Sequence, residues 1–142
     1  MAETVREYEF SQLHVGLSHS FEAILRPEIC SQYTLITGDV SPIHVDADFA
    51  RAQGFQGTVV HGCLVASFYS KLVGVHLPGR YALLLKLDVT FNNPAYMNDH
   101  LLVEGKVAEL NASTSVGELA ARIRNQHGQL VSRARILVRI QK

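Results

Sequence analysis

The hydrophobic period of this chain changes near residue 80, and that change restricts the folds open to it. Between Gly62 and Val75, the residues Leu64, Val65, Phe68, Leu72 and Val75 recur at three and four positions, the spacing of one helix face. Cys63, Ala66, Ser67, Tyr69, Ser70 and Val73 fill the remainder. Such a segment is apolar nearly all round, and a helix of that kind is buried on most sides. Pro78 and Gly79 end it. From Arg80 the period is two: Leu83, Leu85, Leu87, Val89 and Phe91 alternate with Leu84, Lys86, Asp88 and Thr90, which predicts a long half-buried strand. Leu101, Val103 and Val107 mark a second strand and residues 116–124 a third. In the last, Leu130, Ala134, Ile136, Val138 and Ile140 lie inward, with Arg133, Arg135, Leu137 and Arg139 on the other face. Turn residues at Asn92-Asn93-Pro94, Asn98-Asp99 and His127-Gly128 separate them. Four consecutive strands in meander, with no helix between, imply an antiparallel sheet. One apolar helix beside it gives an α+β plan of two layers, with the sheet wrapped around the helix.

Upstream, a weakly patterned first strand is expected between Leu13 and Leu25. Pro27 suits a helix start, and Ile29, Tyr33 and Ile36 follow at helical spacing up to Gly38, which predicts a helix over 27–37. Another is expected over 46–52, with Asp46 or Asp48 as its cap or first turn. No repeat, low-complexity tract or linker interrupts the 142 residues, and one domain spanning 1–142 is the economical reading.

Composition removes several function classes. With 47% hydrophobic and 18% charged residues, the chain is not intrinsically disordered. No apolar run approaches the roughly 18 residues of a membrane span. Glu3, Glu7 and Glu9 near the start are unlike a leader peptide, so a cytoplasmic protein with no membrane partner is expected. Thirteen basic and thirteen acidic residues cancel, and a nucleic-acid binder is normally basic. The charge is uneven, though: Arg122, Arg124, Arg133, Arg135, Arg139 and Lys142 all follow the last acid, Glu118. They are either a solvated strand face or a site for an anion. Cys30 and Cys63 lack metal or disulfide-exchange spacing and fit reduced, core positions.

The densest chemistry lies in Thr37-Gly38-Asp39-Val40-Ser41-Pro42-Ile43-His44. On a straight helix Asp39 and His44 would stand about 140° apart. Pro42 drives Ser41 out of the helical region, however, and Gly38 frees the backbone before it. A loop can therefore turn both side chains to one point, where a carboxylate and an imidazole serve as an acid/base pair near neutral pH. The same residues also suit an Asx turn, with His44 merely at a helix start. A second signal is Val59-Val60-His61-Gly62-Cys63-Leu64 at the start of the apolar helix. Helix starts present unpaired N–H groups, and the N–H of Gly62 could meet developing charge on a carbonyl oxygen. Gly62 could equally be a close-packing residue, and His61 a structural one.

Together, Gly38-Asp39-x-Ser41-Pro42-x-His44, Asp46, Phe49-Ala50, Val60-His61-Gly62 and Ala66-Ser67 resemble the MaoC-like (R)-specific enoyl-CoA hydratases, which have the hot-dog fold. The resemblance is specific over residues 33–79 and looser through Phe91-x-x-Pro94. It implies that Asp39 and His44 are the catalytic pair holding one water, that Gly62 donates its backbone N–H to the thioester carbonyl, and that Ser70 supports the aspartate. Ser41, Pro42 and His61 would support the loop. It also implies a homodimer or higher homo-oligomer with sheets joined edge to edge. Two departures stand out. Ser41 occupies a position where the family most often has Asn, and Asn98 one where it often has Gly. Asn tolerates positive φ, so the second turn is preserved.

The reaction so implied is hydration of a trans-2-enoyl thioester, on CoA or acyl-carrier protein, to an (R)-3-hydroxyacyl thioester, or the reverse. Val59, Val60, Leu64 and residues of the strands would line the acyl site. No cofactor is required. A metal is not expected either, since His44 and His61 lack a third ligand at zinc-like spacing. The alternatives are a non-catalytic acyl-thioester binding protein and a hot-dog thioesterase. The latter usually carries its acid on the central helix, where this chain has none between Gly62 and Val75.

Overall fold

A computed structural model describes residues 2–142. A short 3-10 turn at Phe10–Gln12 precedes β1 (Ser18–Ile24). Then come α1 (Pro27–Thr37), α2 (Pro42–Val45), α3 (Ala47–Ala52) and α4 (Gly62–Lys71), the last continuing as a π-helical turn over Leu72–His76. Four strands complete the chain: β2 (Ala82–Phe91), β3 (His100–Asn111), β4 (Val116–Arg124) and β5 (Leu130–Ile140). All five strands form one antiparallel sheet in the order β1-β3-β4-β5-β2. The result is the α+β, hot-dog arrangement that the periodicity and the resemblance imply.

The connection differs from a four-strand meander. Only β3, β4 and β5 follow one another in space. β2 crosses to pair with β5 at the edge opposite β1. Its alternation also breaks. Leu84 pairs with Val138 and Lys86 with Leu137, which leaves Leu85 as a bulge. Residues facing each other across antiparallel strands share a face, so Leu87 and Val89, opposite Ile136 and Ala134, point inward. Leu83, opposite Arg139, points outward, and Leu83 to Leu85 are all exposed. The first strand is likewise shorter than the span 13–25 suggests.

The α4 helix supplies the inner layer. Leu64, Val65, Ala66, Tyr69, Leu72 and Val73 are buried in one cluster with Val103, Val107, Leu119, Ile123, Ile136 and Val138 of the sheet. A Cβ on Gly105 of β3 would lie 2.5 Å from Leu72 Cδ2, so the close approach of helix to sheet depends on that glycine. In α1, Gly38 ends the helix at φ 70°, while Leu35 and Ile36 are exposed. The helical stripe containing Ile36 is therefore not wholly inward. Asp46 caps α3, its Oδ1 accepting from the Phe49 N–H at 3.0 Å. Of the two thiols, Cys30 is buried as expected, but Cys63 is exposed.

The basic C-terminal strands follow the solvated-face reading in part. Arg122 donates to Glu104 at 2.8 Å, and Arg135 grips Glu118 through two bonds of 2.9 Å. No described helix is long and apolar enough to cross a membrane.

Candidate active site

The site is built by the segment between α1 and α4. Gly38 turns the chain out of α1 in the left-handed region, where a side chain would be strained. Ser41 takes φ −52°, ψ 132°, the extended conformation that a following proline enforces. Asp39 folds back over this bend: its Oδ1 accepts from the Ser41 backbone N–H at 3.1 Å, and its own N–H donates to Thr37 Oγ1 at 3.2 Å. Pro42 begins α2 and brings His44 onto its inner side, half-buried.

His44 Nδ1 lies 2.6 Å from the Val59 carbonyl oxygen. A carbonyl only accepts, so Nδ1 carries the hydrogen and Nε2 is left with the lone pair in the neutral ring. Val59 is itself held by its N–H to the Ile43 carbonyl at 2.9 Å, and Val60 by its N–H to Ala95 at 2.8 Å. His61 is buried and by the same logic donates from Nε2 to the Asp39 carbonyl oxygen at 2.9 Å. Its ring stacks on His44 at 3.9 Å between centroids, and the tilted Tyr33 ring lies 5.1 Å from it. Burial, with Cys63 and Asp39 nearby, pushes the Tyr33 hydroxyl above its ordinary value.

Asp39, His44 and His61 thus meet, each offering an atom within 4.8 Å of the others. The reading that the two histidines lack a third ligand is corrected here, because the loop supplies a carboxylate that linear spacing hides. The three residues could hold a metal ion, and they could equally hold a water. His44 Nδ1 and His61 Nε2 are each taken up by a backbone carbonyl, which leaves one free ring nitrogen on each histidine. One water spans two acceptors at this separation with O–H···acceptor distances of about 2.8 Å.

Beside His44 lies a cavity of about 230 Å³ lined by Val59, Val60, Gly62, Val65, Phe91, Asn92, Asn93, Pro94, Ala95 and Val131. Gly62 is the first residue of α4, so its N–H precedes the helix's own hydrogen-bond ladder. A Cβ there would meet the Phe91 ring at 3.2 Å, the close contact that the packing reading expects.

A model of the MaoC like domain matches residues 11–127. The chain belongs to the MaoC-like family. Among curated relatives, this MaoC-like protein is 31% identical over 108 residues to an (R)-specific enoyl-CoA hydratase of Aeromonas caviae, covering 76% of this chain and 81% of the relative. It is 34% identical over 114 residues to a 3-hydroxybutyryl-CoA dehydratase of Methylorubrum extorquens, covering 78% and 70%. Among solved structures, the unliganded R-hydratase of Pseudomonas aeruginosa superposes with a TM-score of 0.90 at 25% identity, over 97% of this chain and 88% of that one.

The MaoC-like site departs from the sequence reading in three details. Ser70 is exposed and makes no side-chain hydrogen bond among the described residues, whereas Asp39 is held by Thr37, Ser41 and His61. Leu64 is buried in the core. It is the next residue, Val65, that faces the cavity, about 100° further round the helix. Ser41 contributes its backbone N–H rather than its side chain to Asp39. Sequence reasoning missed Val65, Ala95 and Val131 as lining residues, since their apolar character matches that of the core. Phe91 it placed on a strand and in the looser part of the family resemblance, without naming it at the cavity.

Proposed function

We propose that this protein adds water to trans-2-enoyl thioesters to form (R)-3-hydroxyacyl thioesters, and catalyses the reverse dehydration, through Asp39 and His44. The observation that carries the reading is the meeting of a carboxylate and an imidazole of fixed tautomer beside an apolar cavity that Gly62 also lines. The handedness rests on the relatives named (R)-specific.

In hydration, one water donates to an Asp39 carboxylate oxygen and to His44 Nε2, which leaves an oxygen lone pair for C3. As the C3–O bond forms, the C2–C3 π electrons move toward the thioester oxygen, where the Gly62 N–H stabilises the charge. Asp39 takes the proton released by the water, and it returns to C2 by way of His44. The elements of water are thereby added across the double bond, and both residues end as they began. Val59 and Val60 seat the acyl chain against apolar surface. The chain is carried by CoA or by acyl-carrier protein.

The working unit is a homodimer or larger homo-oligomer. The Asp39 side chain is 49% exposed, and Leu35, Ile36, Val40, Val45 and Phe49 leave an apolar patch on the surrounding helices and loop. A second copy over this surface shields the carboxylate and strengthens its electrostatics.

The test follows the ultraviolet absorbance of crotonyl-CoA with wild type, Asp39→Asn and His44→Ala. Wild type should bleach the conjugated enoyl signal. Each variant should lose about 10²–10⁴-fold in kcat, the usual worth of an acid/base group, while still binding the thioester. Full activity in either variant removes that residue from the mechanism. Failure of wild type on every enoyl thioester defeats the reading.

A further inference from the structure

The loop that carries Asp39 has little packing to hold it. Residues 38–42 are all exposed, and a Cβ on Gly38 would meet nothing within 4 Å. The place of Asp39 therefore depends on its hydrogen bonds. Its N–H donates to Thr37 Oγ1 at 3.2 Å, its carbonyl accepts from His61 Nε2 at 2.9 Å, and its Oδ1 accepts from the Ser41 N–H at 3.1 Å. The first two bonds tie the planar peptide groups on either side of its Cα, which fixes φ and ψ and so the direction of the Cα–Cβ bond. The third holds one carboxylate oxygen.

The two backbone ties are both supported from the last turn of α1. A hydroxyl has one hydrogen to give and two lone pairs. Thr37 gives its hydrogen to the Tyr33 carbonyl at 2.9 Å, the back-bond open to a threonine inside a helix. Its lone pairs are then left to accept from the Asp39 N–H. Tyr33, four residues earlier, shares that helix face. It is half-buried and packed against the core. Its ring lies 5.1 Å from that of His61 and is tilted by 57°, a separation at which aromatic pairs attract.

We propose that Thr37 and Tyr33, one turn apart at the end of α1, are positioning residues for Asp39. Thr37 fixes the peptide before it through the hydroxyl, and Tyr33 fixes the peptide after it by bracing the ring of His61. The proposal rests on the reading above, in which the Asp39 carboxylate takes a proton from water. A base on an exposed loop reaches that water only if its backbone is held, and small errors of aim cost rate rather than binding. Neither residue touches the water or the thioester, so their loss should appear in kcat and not in KM.

The test measures kcat and KM with crotonyl-CoA for wild type, Thr37→Val, Thr37→Ser, Tyr33→Phe and Tyr33→Leu, each checked for folding by thermal melting. Valine keeps the shape of threonine and removes the hydroxyl. Thr37→Val should therefore lower kcat about 3–10-fold, the worth of one hydrogen bond made against water, and leave KM within about 2-fold. Thr37→Ser, which restores the hydroxyl, should recover most of the loss. Tyr33→Phe keeps the ring and should turn over within about 2-fold of wild type, whereas Tyr33→Leu should lose about 3–10-fold in kcat. The deciding readout is a double-mutant cycle with Asp39→Asn. With no carboxylate left to aim, Thr37→Val should cost nothing further in that background, and additive losses would make the threonine merely structural and overturn its role. A wild-type kcat in Thr37→Val overturns it too, and equal losses in Tyr33→Phe and Tyr33→Leu overturn the part given to the tyrosine ring. Wild type inactive on every enoyl thioester defeats the hydratase reading and this inference with it, whereas an active wild type with unmoved variants defeats the inference alone.

Discussion

The imidazoles of His44 and His61 lie stacked 3.9 Å apart, and each holds a different backbone carbonyl. His44 Nδ1 holds Val59 at 2.6 Å, and His61 Nε2 holds Asp39 at 2.9 Å. His61 thereby ties the Asp39 backbone beside the ring of His44, and we propose that this tether is its role. His61→Phe keeps an aromatic face and removes the donor. Its kcat should fall about 10–100-fold, the scale of losing a partner that orients a reacting group, with KM little changed. Steady-state kinetics decides this, and a wild-type kcat in the variant would show that the tether is dispensable. His61→Gln, which restores an N–H donor, should recover part of the loss.

Ser41 should tolerate substitution. What it gives Asp39 is a backbone N–H, at 3.1 Å, and any residue except proline supplies that. Ser41→Ala and Ser41→Asn should each stay within about 0.5 kcal/mol of wild-type stability, as exposed substitutions do, and turn over at similar rates. A large loss of kcat in Ser41→Ala would mean that the hydroxyl touches substrate.

The Tyr69–Ser132 bond crosses the core from α4 to β5, and burial pushes the tyrosine hydroxyl up to about 12. Removing either partner strands the other in an apolar interior. Tyr69→Phe and Ser132→Ala should each destabilise by about 1–3 kcal/mol. The double variant should lose less than their sum, since no polar group is then left unpaired. Urea denaturation of all four proteins gives the coupling directly, and simple additivity would mean that the hydroxyls do not depend on one another.

Stability should fall in mild acid because of two partly buried histidines, His76 and His19. His76 is stacked on Phe21 at 4.7 Å, and burial holds it below its ordinary value, with Lys71 and Arg6 acting in the same direction. Glu3 pulls the other way from 3.0 Å, off the line of a hydrogen bond. Burial lowers His19 too, aided by Arg6 and His76. The unfolded chain therefore binds these protons at higher pH than the folded one. Stability is complete above the ordinary histidine value of about 6.5 and declines as pH drops through the lower folded values. Urea midpoints measured from pH 7.5 to 5 should decrease, and His76→Gln combined with His19→Gln should flatten the slope. An unchanged slope would place the proton uptake elsewhere.

Much of this could be read from the residues alone. The helices begin at Pro27 and Gly62 because proline and apolar periodicity act locally. The inward set from Ala134 to Ile140 held because β5 runs unbroken there. What escaped was non-local. Leu83, Leu84 and Leu85 are chemically alike, so nothing in their order marks Leu85 as the bulge or shows that β2 crosses to the far edge. Val65 and Val131 look like core until a cavity is seen beside them. Asp39 and His61 are 22 residues apart, and only the turn at Gly38 joins them. The family motif pointed to Asp39 and His44 as a pair, but not to the carbonyls that orient them.

Gly62→Ala should separate stability from activity. Alanine is better than glycine by about 1 kcal/mol in a helix interior, and by less at this first helical position. The new Cβ would press only on the Phe91 ring, at 3.2 Å, and that ring is half-exposed and free to shift. Stability should therefore hold or rise slightly in thermal melting. The methyl group would, however, add bulk to the cavity wall beside the N–H that we propose meets the thioester oxygen. Weakening one such donor is felt in the transition state, where losing one outright costs about 10²–10³ in kcat, so turnover should drop about 10-fold or more. A variant that melts at or above the wild-type temperature and turns over slowly marks Gly62 as a contact for the developing charge. Full activity would leave it a packing residue alone.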